Sequence, residues 1–199
     1  MNPDARTSAA TARNREPILA VLRQRLPASG LVLEIASGAG EHAVWCAAGL
    51  PHLAWRPTDR GDLASIAAWR AEAGLPNLLE PLALDAAAPD GWPVKAADAV
   101  VCINMIHIAP WSAAEGLMAG AGRILPEGGR LFLYGPFREA GTPTAPSNEA
   151  FDADLKRRDP AWGLRDLGAV AVLAAGCGLR LAERIAMPAN NLVVMFEKT

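Results

Sequence analysis

Three residues, Pro188-Ala189-Asn190, separate two strand-like runs at the end of this chain, LRLAERIAM and NLVVMFEK. A parallel crossover needs about a dozen residues or more, so two strands joined by so short a link must pair antiparallel. Upstream the pattern is different. Strand-like runs (LVLEIA, LAWRPT, LLEPLALD, DAVVCIN, GRLFLYG) are interspersed with segments of helical spacing (EHAVWCAAGL, DLASIAAWRAEAG, SAAEGLMAGAGRIL, DLGAVAVLAAGCG). An earlier helix is marked by Pro17 in a first turn and by Ile18, Leu22 and Leu26, and is stopped by Pro27. Such alternation implies right-handed crossovers and a mostly parallel sheet covered by helices on both faces. The expected architecture is therefore α/β, a mostly parallel sheet closed by an antiparallel strand.

The 199 residues suit a single domain. Residues 1–12, rich in Ala, Ser and Thr, read as a mobile arm, and 13–199 as the domain. The stretch from Pro136 to about Arg165 has neither strand nor helix period, which predicts a lid or binding loop. A formal net charge of −2 gives no electrostatic reason to expect nucleic acid. No apolar run is long enough to span a membrane, and the N-terminus lacks the apolar core of a secretory signal, so a cytoplasmic location is expected. Cys46, Cys102 and Cys177 are widely separated within apolar runs and read as buried thiols; with no CxxC spacing and three scattered histidines, no metal site is expected.

The stretch VLEIASGAGEHAVW, Val32 to Trp45, raises the functional question. Gly38 and Gly40 end the first strand before a helix, where absent Cβ atoms let backbone amides approach a ligand. With Ala43 they spell G-x-G-x-x-A, and Asp59 follows at about the ribose-binding separation, a pattern shared with dinucleotide sites. Glu34 argues otherwise. A carboxylate inside a buried strand is costly unless a charge or hydrogen bond answers it, by a ligand ammonium or by a backbone amide or arginine of the protein. It would repel a pyrophosphate and attract an ammonium. S-adenosylmethionine carries an ammonium, an adenosine and no phosphate, so Glu34 is expected to face its amino-acid end. Asp59, ending the second strand, either takes both ribose hydroxyls or caps the helix after it. Asp85 and Ala86, ending the third, either meet the adenine or belong to a loop, and Asn104 ends the fourth at the same crevice. His42, at the positive end of the helix after the glycines, is expected to stay neutral and hydrogen-bonded.

LEIASGAG, RPTD, ALDAA, DAVVCINMIHI and ILPEGGRLFLYGPF resemble the successive motifs of the class I S-adenosylmethionine-dependent methyltransferases. The resemblance implies a seven-stranded sheet of order 3-2-1-4-5-7-6 with the seventh strand antiparallel. It also implies S-adenosylmethionine as cofactor and S-adenosylhomocysteine as product. Ser37 joins the cofactor set, and Ala36-Ser37 stand where the family commonly has a further glycine. RNREPIL, IASGAGEHA, INMIHIAPW, YGPF, SNEAFD, RDPAWGLRD and MPANNLVVMF are similar to a narrower branch that includes methyltransferase-like protein 26.

Methyl transfer from a sulfonium is an in-line displacement, so the protein must chiefly align a nucleophile and exclude water. His107, three residues past Asn104, reads as base or substrate orienter, or else as a histidine packed in an apolar turn. Tyr134 stands at the end of the fifth strand, facing the acceptor or capping the core. In the insert, Asn148, Asp152, Arg158, Trp162 and Arg165 could line a pocket for a small polar acceptor, or simply pair with one another. Three functions follow: a methyltransferase acting on a small molecule, a non-catalytic cofactor- or partner-binding protein, and a nicotinamide-dependent oxidoreductase. The last lacks a Tyr-x-x-x-Lys pair.

Overall fold

The computed structural model describes residues 4–61 and 63–199. Its sheet is built from β1 (Gly30–Ile35), β2 (Leu53–Asp59), β3 (Leu82–Ala83), β4 (Ala99–Ile103), β5 (Arg130–Gly135), β8 (Leu179–Met187) and β9 (Asn191–Lys198). The remaining two strands, β6 (Phe137–Arg138) and β7 (Arg165–Asp166), pair parallel in a separate ribbon. The main sheet runs β3-β2-β1-β4-β5-β9-β8. Counted within that sheet alone, this is the expected order, and β9 is antiparallel to both β5 and β8. The Pro188–Asn190 link is a single tight turn with Ala189 and Asn190 both at φ 57°.

The helices are α1 (Ala9–Arg25), α2 (Glu41–Gly49), α3 (Ala64–Ala73), α4 (Trp111–Ile124), α5 (Pro146–Arg158) and α6 (Leu167–Gly176). Strand side chains alternate between two cores. Val32, Val101 and Phe132 pack on the α1/α2 side with Ile18, Leu22 and Cys46; Leu33, Val100 and Leu133 pack on the α4/α6 side with Leu117 and Val170. Cys46 and Cys102 are buried and Cys177 half-buried, all as free thiols. No described helix is long and apolar enough to cross a membrane.

Four local readings differ from expectation. Residues 4–12 are docked rather than a free arm. Ala5 and Thr11 are buried, Ser8 caps α1, the Arg6 amide donates to Ser65 Oγ at 3.0 Å, and Trp69 Nε1 donates to the Arg6 carbonyl at 2.8 Å. Residues 1–3 of the expected arm lie outside the described residues. Helix α1 therefore starts at Ala9, and Pro17 falls inside it rather than in its first turn. Within the insert, α5 forms where no period was visible, and β3 is only two residues long, because Pro81 just before it has no amide to give a neighbouring strand.

Candidate functional site

The carboxyl ends of β1, β2 and β4 meet at a cleft of about 740 Å³. Glu34, Ser37, Gly38, Gly40, His42, Asp59, Asp85, Ala86 and Asn104 all line it, so the expected cofactor residues are brought together in one place. Glu34 is buried, and Trp55 Nε1 donates to its Oε2 at 2.6 Å. Among the described residues the carboxylate is met by the Trp55 indole and the Ser37 hydroxyl rather than by an arginine. Burial pushes this carboxyl up to about 7, and the Asp59 charge adds to that, against hydrogen bonds from Trp55 and the Ser37 hydroxyl.

The loop after β1 is unusual in its backbone. Ala36 adopts φ 57°, where an L residue pays a steric penalty that glycine avoids. Gly38 (φ 58°) faces open space, whereas a Cβ on Gly40 would sit 2.9 Å from Ile66 Cα. Gly38 thus leaves the approach to the backbone clear, and Gly40 is needed for α3 to pack. Asp59 accepts from the Gly38 amide through Oδ2 and from the Gly61 amide through Oδ1, both at 2.9 Å. It is not the cap of α3, whose N-cap is Leu63 with no side-chain bond. Its carboxylate holds the glycine loop and retains lone pairs toward the cleft. Asp85 is exposed, with Oδ1 accepting from the Ala87 amide at 2.9 Å. His42 is held neutral, its pKa lowered to about 4 by burial and by Arg15, with Nε2 2.8 Å from Asn14 Oδ1.

Helix α4 presses on the Asp85 end of this cleft: a Cβ on Gly116 would lie 2.0 Å from the Ala86 carbonyl oxygen and 2.9 Å from Ala87 Cα. Gly116→Ala should therefore destabilise the fold by about 1–3 kcal/mol despite alanine's better helix propensity, because both contacts are backbone and cannot swing away. Thermal unfolding measures this, and a variant at least as stable as the parent would show that the close approach is absent.

A second cleft, about 680 Å³, adjoins the first, and Ala10, Asn104 and Ile108 line both. His107, Tyr134 and Asn148 face it, together with Arg13, Asn14 and Phe151. Asn104, at φ 57°, donates its amide to the Tyr134 carbonyl at 2.8 Å and so turns at the junction. His107 is 2% exposed, edge-on to Phe151 with ring centroids 5.8 Å apart. Burial and then the Arg165 charge lower its pKa to about 4, so it is neutral near pH 7. Burial raises the Tyr134 hydroxyl, opposed by a hydrogen bond with Asn14.

The insert residues divide. Asn148 lines the second cleft while its Nδ2 donates to the Asn190 carbonyl at 2.9 Å. Arg158 and Trp162 line the first cleft, the guanidinium 5.1 Å from the indole centroid. Asp152 and Arg165 line neither. Asp152 is buried against Arg138, Lys156 and the Leu164 amide. Arg165 donates to the carbonyls of Ile106, Ala109 and Ala161 at 2.8, 2.6 and 2.9 Å, pinning the insert to the loop after β4. Both are taken up by the scaffold, as charges on a mixed-sign segment are when partners lie close. The residues missed from the sequence are those of the N-terminal helix, Thr11 on the first cleft and Arg13 and Asn14 on the second; the signal for the latter two was the RNREPIL motif itself.

The model of the family described as "Protein of unknown function (DUF938)" matches residues 5–198. Among solved structures, an O-methyltransferase family protein from Burkholderia thailandensis is similar with a TM-score of 0.80 at 16% identity, covering 96% of this chain and 57% of that one. The methyltransferase CalO1 of calicheamicin biosynthesis, in its SAH-bound form, matches with a TM-score of 0.76 at 17% identity over 94% of this chain and 54% of that one. An O-methyltransferase family 2 protein from Planctomyces limnophilus, in complex with apigenin, matches with a TM-score of 0.74 at 21% identity over 93% and 62%. This chain spans little more than half the length of these structures, and the likeness at such identity is one of fold: a Rossmann-like methyltransferase fold.

Proposed function

The chain belongs to the DUF938 family, and we propose that it is an S-adenosylmethionine-dependent methyltransferase acting on a small polar acceptor. The observation that carries this is the pair of adjoining clefts, one ringed by strand-end acids around a glycine loop, the other opening from it at Asn104 and Ile108. The donor set fits the cofactor. Glu34 is a buried carboxylate whose described partners are neutral, leaving a cation to be supplied, and Asp59 and Asp85 stand where an adenosine would extend. The same carboxylate opposes a pyrophosphate, which counts against a nicotinamide cofactor.

Bound S-adenosylmethionine would supply an electrophilic methyl group on a sulfonium. Glu34 would hold the ammonium, the Gly38 backbone would give it room, and Asp59 and Asp85 would hold ribose and adenine. His107, neutral and buried, would orient the acceptor by hydrogen bonding rather than draw its proton far from balance, since a base of so low a pKa is weak. Tyr134 keeps its proton near neutral pH and would donate. The segment 136–165, with α5 and Trp162, would cover the mouth and exclude water. The likeness of RNREPIL and MPANNLVVMF to the branch that includes methyltransferase-like protein 26 belongs to this reading.

The test is isothermal titration with S-adenosylhomocysteine, with NADH in parallel, followed by labelled methyl transfer into cell extract. Saturable binding of the first alone, with label incorporated, is expected. Binding of NADH alone would overturn the reading; cofactor binding with no turnover in any extract would favour the non-catalytic alternative.

A further inference from the structure

We propose that the second cleft takes a planar aromatic acceptor bearing a single negative charge, with Arg13 as the residue that reads the charge. This deepens the reading of that cleft as the acceptor site and rests on it. Three observations converge. First, the one ionised side chain lining the cleft, among the described residues, is Arg13; no Asp or Glu lines it, and His107 is neutral. The acids of the neighbouring α5 do not offset it, because Glu149 and Asp152 are both bonded to Arg138, Asp152 also to Lys156, and Asp154 to Arg157. Arg13 is exposed at the rim, where a guanidinium can swing onto a carboxylate and bind it through two parallel hydrogen bonds.

Second, much of the cleft lining is apolar. Phe151 and Ile108 are two large hydrophobic side chains left exposed, at 37% and 40%, and both line this cleft. Pro17, Pro136 and Pro188 add rigid apolar faces to the same cleft. A slot of this kind gains by burying a ring, which removes apolar area from water at both surfaces and stacks without losing rotamer freedom. Third, the polar groups deep in the cleft, His107, Tyr134 and Asn104, are neutral hydrogen-bonding groups beside the shared boundary with the first cleft. A ring with its acid on Arg13 would present its opposite edge to them. A cationic acceptor would meet a like charge at the mouth and find no carboxylate inside.

The experiment compares three ligands of one shape and different charge: 4-hydroxybenzoate, 4-hydroxybenzamide and 4-hydroxybenzamidine. Each is titrated calorimetrically into the protein with and without saturating S-adenosylhomocysteine. The benzoate should bind about tenfold or more tighter than the amide, and the amidine weakest. In Arg13→Gln that preference should vanish while S-adenosylhomocysteine affinity stays the same, since Arg13 does not line the first cleft. Phe151→Ala should weaken all three ligands by a similar factor. Equal or better binding of the amide or amidine overturns the proposal, as does no binding by any of the three, or a benzoate preference that survives Arg13→Gln. If S-adenosylhomocysteine binds and the benzoate does not, this inference fails alone; if the benzoate binds and S-adenosylhomocysteine does not, the methyltransferase reading is the one that fails.

Discussion

Glu34→Gln is expected to weaken S-adenosylhomocysteine binding about ten- to a hundredfold at pH 7.5, the worth of a buried charge-assisted hydrogen bond. The parent protein should also show a pH dependence that the variant lacks. Burial raises the Glu34 carboxyl from its ordinary 4.5 to about 7, so between those values the folded, unliganded protein holds a proton that the unfolded chain releases. The sign follows directly: across that window the unliganded fold loses stability from this group as pH rises. A ligand ammonium needs the carboxylate, so below about pH 7 binding must expel the proton. Affinity should then climb by up to about tenfold per pH unit toward pH 7 and level off above it. In Glu34→Gln the curve should be flat, and Trp55 keeps an acceptor in the glutamine oxygen, so the variant should fold. Calorimetric titration between pH 5.5 and 8 decides. An unchanged affinity, or the same slope in the variant, would mean that the Trp55 indole alone accounts for the buried acid.

The alternation of strands with helices and the antiparallel close of the sheet could be read from the chain because their determinants are local, whereas the strand order came only with the resemblance to the methyltransferase motifs. A three-residue link forces antiparallel pairing, and the crossover segments carry apolar residues at helical spacing. The acids at strand ends were legible for the same reason, since strand ends follow from where apolar runs stop. What escaped was set by contacts between segments far apart. Glu34 meets Trp55 through the parallel register of β1 on β2, which no single stretch encodes. Helix α5 was invisible because its inward positions are Asn148, Asp152 and Leu155, two polar residues and one apolar, so the hydrophobic period that marks a helix is missing. The docked start of α1 was read as an arm because it buries Ala5 and Thr11, side chains too small to stand out from an Ala/Ser/Thr-rich tail. For Asp152 and Arg165 the sequence leaves both an acceptor pocket and pairing with neighbours open, because composition does not distinguish a charge that faces a cleft from one consumed by its neighbours.

Asp152 is consumed in a way that predicts a large effect on stability. It is 4% exposed and accepts three ways: from the Leu164 amide at 2.8 Å through Oδ1, and from Arg138 at 2.9 Å and Lys156 at 2.6 Å through Oδ2, with Gly163 packed against it. Burial alone would raise its pKa, but Lys156, the Leu164 amide and Arg138 outweigh it and hold the carboxyl below its ordinary range. The stability it contributes is therefore complete above the unfolded value of 3.8 and is lost as pH falls through the lowered folded value. Asp152→Ala strips the buried Leu164 amide of its acceptor and leaves the two cations facing an apolar gap. Arg138 and Lys156 remain partly in water, at 33% and 56% side-chain exposure, which keeps the cost at the low end for a broken buried pair, about 3 kcal/mol. Asp154→Ala, which breaks an exposed pair on the same helix, should cost no more than about 0.5 kcal/mol. Asp152→Asn keeps an acceptor for Leu164 and should recover part of the loss. Urea unfolding of the three variants at pH 7 separates them. Should Asp152→Ala cost no more than Asp154→Ala, the anchor that ties α5 to the Leu164 segment lies elsewhere.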